Sequence, residues 1–132
     1  MSASRDLLDY SGEVRQRFET APRHGRIFAP AAERLHGAAG DVASGVRVEF
    51  DARVRAGRIV ECRFRAYGCP HVIAAASWVA EQAEGRSAHD PDWVDPRRLA
   101  EFLEAPPHKL GNLLVVEDAF RACLAGQAAV AP

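Results

Sequence analysis

The three cysteines of this 132-residue chain stand in three different settings. Cys62 falls on the apolar side of an alternating run, and Cys123 falls on the apolar stripe of a helical pattern. A free cysteine in either place behaves as a small hydrophobe. Cys69 differs, because it follows Gly68 and precedes Pro70, and proline is favoured at the first position of a helix. That spacing predicts Cys69 at or beside a helix N-cap, where unpaired N–H groups and the positive end of the helix dipole favour a thiolate. The competing reading is a structural cysteine filling a tight turn. His71 completes a Cys-x-His, a weak metal signal that lacks the second pair a zinc site needs, so a solvated histidine is the default. His108 and Lys109 stand in a proline loop, and Lys109 is the only lysine among 17 basic residues. Asp41, after Gly40, reads as a turn or cap residue. The chain has no Gly-x-x-x-x-Gly-Lys phosphate loop, no Gly-x-Ser-x-Gly elbow and no His-Glu-x-x-His, so the common hydrolase and nucleotide-enzyme motifs are absent.

The elements that must position these residues are legible in part. Leu7, Tyr10, Val14 and Phe18 make one apolar stripe at helical spacing. Residues 26 to 40 fit either a short strand or an irregular segment. Val46, Val48, Phe50, Ala52 and Val54 then alternate with charged residues, which predicts a half-buried strand with one wet face. After Ala56-Gly57 the alternation resumes, with Val60, Cys62, Phe64 and Ala66 pointing to the dry side. Together these runs predict an antiparallel hairpin, with Gly57 at the left-handed turn position. A helix opens at Pro70, carries Val72, Ile73, Ala76, Val79, Ala80 and Ala83 on one face, and meets a C-cap at Gly85. Asp95-Pro96 opens a short helix that Ala105-Pro106-Pro107 stops. A last helix carries Leu113, Val116, Phe120, Cys123 and Leu124. The layout is α+β: a small antiparallel sheet with a long hairpin, one N-terminal helix, and about three C-terminal helices packed on one face.

Composition narrows the function classes. At 132 residues the chain is read as a single domain over 1–132, with a core of about 5–126 and a frayed tail at 127–132. Hydrophobic residues make up 48%, which suits a globular fold. A net charge of -1 gives no whole-chain case for nucleic acid or an anionic membrane. No apolar run approaches the ~20 residues of a transmembrane helix. An odd cysteine count and the lack of a signal-peptide pattern point to the cytoplasm.

Several short motifs then fall in the order and spacing of one family. Arg63-Phe64-Arg65-Ala66-Tyr67-Gly68-Cys69 leads into an alanine-rich, serine-bearing helix and Glu84-Gly85-Arg86-Ser87. Pro22-Arg23-His24, Ala39-Gly40-Asp41, Ala105-Pro106-Pro107-His108-Lys109 and Glu117-Asp118-Ala119 accompany it. From Leu7 to Gly126 the chain resembles the IscU/NifU-type iron–sulfur cluster scaffolds. The resemblance implies a SufE/NifU-like fold and a site built from three cysteines, an aspartate and a histidine. On that pattern Ala39 stands at the first cysteine position, and Gly111-Asn112 stand where the family has His-Cys. Cys69 and Asp41 remain as candidate ligands for iron or a [2Fe–2S] cluster, with His71 and His108 as nitrogen donors. One thiolate and one carboxylate do not hold such a cluster in a monomer.

Three functions follow from the resemblance. The first is a diverged scaffold or accessory of cluster biogenesis that binds iron or a cluster weakly or through a dimer. The second, by analogy with SufE-type sulfur acceptors, is a persulfide carrier on Cys69, with Lys109 or His108 stabilising the anion. The third is a non-catalytic interaction module. The partners implied are a cysteine desulfurase, an Hsp70-type chaperone and apo-protein clients.

Overall fold

A computed structural model describes residues 10–126. Helix α1 (Gly12–Thr20) is followed by three antiparallel strands, β1 (Arg34–Asp41), β2 (Val46–Arg55) and β3 (Arg58–Tyr67), in the order β1-β2-β3. Helices α2 (Pro70–Ala83), α3 (Pro96–Leu103) and α4 (Leu110–Ala125) complete the chain. The fold is α+β, as the sequence pattern predicts.

The dry face of the hairpin is sealed by helices. Val48, Phe50, Ala52, Cys62 and Phe64 are fully buried beneath Val72, Ala76, Val79, Val116 and Phe120 of α2 and α4. Phe50 meets Phe120 edge-on, with ring centroids 5.5 Å apart. At the hairpin tip both Ala56 and Gly57 take positive φ, the geometry that matches the twist of the flanking strands. Beyond the tip the expected alternation fails by one residue. The register steps from Arg53↔Glu61 to Val54↔Ile59, which leaves Val60 as a bulge. Ile59 therefore enters the core, and Val60 is 41% exposed.

Strand β1 is ambiguous in sequence because its centre, Gly37-Ala38-Ala39-Gly40, has little strand propensity. Those small residues answer to α4. A Cβ on Gly37 would collide with the backbone nitrogen of Cys123 and would lie 2.5 Å from the carbonyl carbon of Ala122. One on Gly40 would lie 3.0 Å from Val115 Cγ1. Helix α4 thus runs antiparallel to β1 at near backbone contact, with its N-terminus at the Gly40 end.

The face expected to be wet is not uniformly so. Asp51 is 1% exposed, because the segment after α1 crosses over it. Its carboxylate accepts from Ile27 N–H at 3.1 Å, from Arg65 at 3.2 Å, and pairs with His36 Nδ1 at 2.8 Å. Burial works to raise the Asp51 pKa. The bonds from Arg65, His36 and Ile27 outweigh it and hold the carboxyl below its ordinary value. The outer edge of β3 is also covered. Its N–H groups at Ile59, Cys62 and Phe64 donate to Arg86 O, Glu84 Oε2 and Arg23 O.

The N-terminal helix departs from the expected stripe. Ser11 caps it through Val14 N–H, so Tyr10 precedes the helix. Val14 is buried, whereas Phe18 is 39% exposed. Leu7 lies outside the described residues. In place of the apolar stripe, Arg17 reaches Glu81 and Ser77 on α2. Gly85 follows the C-cap, Glu84, rather than occupying it.

The contact between α4 and β1 makes a sharp prediction. Gly37→Ala should cost about 3 kcal/mol by forcing the two backbones apart. Gly111→Ala, on α4 with open space around it, should be neutral or gain about 0.5 kcal/mol. Urea unfolding of both variants checks the contrast.

Candidate functional site

The register of the sheet assembles one end of the molecule. Gly40, Arg47 and Tyr67 lie in a row across the three strands. Asp41 and Cys69 both follow that row, on either side of β2. At a strand spacing of about 4.8 Å, the outer two strands are about 10 Å apart. The N-terminus of α2 opens at this end with Cys69, and that of α4 arrives with Lys109, Leu110 and Gly111. The ends of four elements therefore converge around one thiol.

Cys69 is the N-cap of the 14-residue helix α2, and its side chain makes no capping bond. Its carbonyl accepts from Val72 N–H at 3.0 Å, and Pro70 fills the first helical position. The thiol is partly exposed, while Cys62 and Cys123 are buried in the core. Burial pushes the Cys62 thiol well up, and pushes Cys123 up to about 12. Both are unreactive for that reason.

The other candidates are placed less favourably for metal binding. Asp41 is fully exposed and caps a short 3-10 turn, Val42–Ser44. It accepts from Ser44 N–H at 2.8 Å and from Ser44 Oγ at 3.0 Å. Those bonds hold its carboxyl below the ordinary range. His71 is not solvated, contrary to the default for a Cys-x-His in sequence. It is 4% exposed, its ring tilted against that of Tyr10 with centroids 4.6 Å apart, and its buried Nδ1 has no partner among the described residues. Burial, with help from the charge of Lys109, lowers its pKa and keeps it neutral. His108 is exposed on the 3-10 turn Pro107–Lys109. Among the described residues, no three histidine, cysteine or acidic side chains gather as a metal-binding group. Ala39 is half-buried against the core, and Gly111 and Asn112 supply neither thiolate nor imidazole. The donors of one chain thus do not fit a [2Fe–2S] cluster, which wants four ligands per iron, mostly thiolate.

Two residues of this end are not among the candidate site residues, although Tyr67 lies within the motif that ends at Cys69. Val42 is 55% exposed and Tyr67 is 53% exposed, each close in sequence to a candidate ligand. For Tyr67 a signal is present, since it sits at an odd position of β3, on the side that carries the charges.

A family model described as the NifU-like N-terminal domain matches residues 9–128. The iron–sulfur cluster assembly scaffold protein IscU of Escherichia coli (strain K12) is 33% identical over 120 residues, spanning 89% of this chain and 93% of that protein. IscU of Haemophilus influenzae is 29% identical over 119 residues, spanning 89% and 94%. Among solved structures, FiSufU of Fervidobacterium islandicum AW-1, assigned as a cluster assembly scaffold for the SUF system, superposes with a TM-score of 0.69. It is 16% identical, and the match covers 92% of this chain and 99% of that one. The N-terminal part of a NifU-like protein from Brucella abortus superposes with a TM-score of 0.60 at 16% identity, covering 98% and 97%.

The burial of the thiols sets their reactivity. Iodoacetamide on the native protein should leave a single adduct, on Cys69, and three adducts after unfolding in urea. Peptide mass mapping checks this, and native labelling of Cys62 or Cys123 would contradict the core described here.

Proposed function

This chain belongs to the NifU-like N-terminal domain family of iron–sulfur cluster assembly scaffolds, and on that premise we propose that it acts as an accessory in cluster assembly, carrying sulfur on Cys69 rather than a cluster. One observation supports this reading above others. At the end of the fold where the family assembles its cargo, Cys69 is the one cysteine, and the neighbouring positions hold Ala39, Gly111 and Asn112.

The chemistry is thiol–persulfide exchange. The Cys69 thiolate attacks the terminal sulfur of a persulfide on the active cysteine of a cysteine desulfurase. The new S–S bond forms on Cys69, the bond to the partner's sulfur breaks, and the partner's thiolate leaves. No net oxidation or reduction occurs. The N-terminal end of α2, with its unpaired backbone N–H groups, favours the persulfide anion that forms there. Lys109, which has no ion-pair partner among the described residues, supplies a point charge at the same end. Asp41, exposed and ionised, serves as a polar contact for the partner rather than as an iron ligand. The exposed turn at Pro107-His108 is the surface a chaperone would engage. The described residues contain no helix long and apolar enough to cross a membrane.

Native mass spectrometry tests this after anaerobic incubation with a cysteine desulfurase, cysteine and ferrous iron. The expected product is the chain plus one sulfur atom, without iron. Cys69→Ser should abolish loading, and Lys109→Ala should slow it without abolishing it. Iron with inorganic sulfide on the chain would overturn the carrier reading in favour of a diverged scaffold. An unmodified chain, with the desulfurase active on a control scaffold, would overturn it in favour of an interaction module.

A further inference from the structure

A concave site lies away from Cys69, between α2 and α3. It encloses about 250 Å³ and is walled by Trp78, Trp93, Leu99 and Phe102. Pockets that take drug-sized ligands run to roughly 300–1,000 Å³, so this one suits a molecule with a single ring. Trp78 is nine residues beyond Cys69 on α2, about 13 Å along the axis. The cavity is therefore separate from the thiol, and its ligand is independent of whether Cys69 carries sulfur.

The walls are aromatic and mutually tilted. Trp78 lies 6.1 Å from Trp93 and 5.4 Å from Phe102 between ring centroids. Phe120 braces Trp93 edge-on from the core side at 5.3 Å. Such walls favour a planar ring presented edge or face. The polar groups at the rim are mostly cationic. The Arg86 guanidinium stands 4.2 Å over the Trp93 ring, and its Nε donates to Gln82 O, which leaves its terminal N–H groups to spare. Arg98 is exposed and has no partner among the described residues. The one carboxylate of the lining, Asp95, is engaged as the N-cap of α3, accepting from Arg97 N–H at 2.9 Å. Two guanidinium groups against one committed carboxylate leave the cavity positive. Trp93 adds a buried Nε1 donor with no acceptor among the described residues. An apolar floor whose polar lining carries more donors than acceptors and a net positive charge favours an anion carried on a ring.

We propose that this cavity is a binding site for a small aromatic carboxylate, whose ring enters between Trp78, Trp93 and Phe102 while its carboxylate pairs with Arg98 and Arg86. Guanidinium groups suit this ligand because they bond a carboxylate through two parallel N–H groups.

The chain carries its own reporter, because its two tryptophans both line the cavity. Titration of the full chain with 3-phenylpropionate, read by tryptophan emission, should give a saturable change. The neutral isostere 3-phenylpropanamide should bind about tenfold more weakly, and Arg98→Ala should weaken the acid by about the same factor, as expected for a charge-assisted hydrogen bond. Arg98 is exposed, so its loss leaves the fold intact, and Arg98→Lys should restore part of the affinity. A linear, unsaturable change would overturn the proposal. So would equal binding of acid and amide, or an unchanged affinity in Arg98→Ala.

Discussion

The approach of α4 to β1 is the constraint on which the rest of the structure turns. At Gly37 the two backbones leave no room for a Cβ. That contact fixes where α4 lies along the strand, and with it the position of its N-terminus. Lys109, Gly111 and Asn112 reach the end of the sheet where Asp41 and Cys69 stand only because the helix is seated this way. The hydrophobic core depends on the same placement. Val116, Phe120 and Cys123 turn down onto Phe50 and Cys62, and α2 fills the other half of the dry face.

The opposite face of the sheet performs a different task. Buried Asp51 ties Arg65, His36 and the backbone of Ile27 into one network, so the segment after α1 is bound across the strands. A buried carboxylate with three donors is far cheaper than one left bare, and it orders a stretch with little helix or strand propensity. The thiol end is built on the contrary plan. Its backbone is held by four elements, but its side chains are few and lightly engaged. Among the described residues no three potential metal donors gather there, while one partly exposed thiol stands at the start of α2.

Much of this is legible in the sequence, for identifiable reasons. The hairpin announces itself because one face is apolar and the other charged, residue by residue. The place of Cys69 is readable because Gly68 and Pro70 bracket it with opposite backbone preferences. The bulge at Val60 is invisible, since either Ile59 or Val60 satisfies an apolar pattern and only the strand register decides. Strand β1 is hidden because its small residues answer to a helix seventy or more positions away rather than to strand propensity. The burial of His71 depends on Tyr10, and the aromatic cavity depends on a loop that folds Trp93 back onto Trp78. Such long-range pairings leave no local mark in the chain.

On the family resemblance Ala39, Gly111 and Asn112 stand where two cysteines and a histidine are expected, and restoring those donors tests the carrier reading most directly. Wild-type protein and an Ala39→Cys, Gly111→His, Asn112→Cys variant would be incubated anaerobically with ferrous iron and sulfide. Each would then be assayed for iron per chain and for visible absorption. The expected result is a colourless, iron-free wild type and a variant that holds a [2Fe–2S] cluster. A wild-type chain that holds a stable cluster as a monomer would contradict it, as would a folded variant that still holds none.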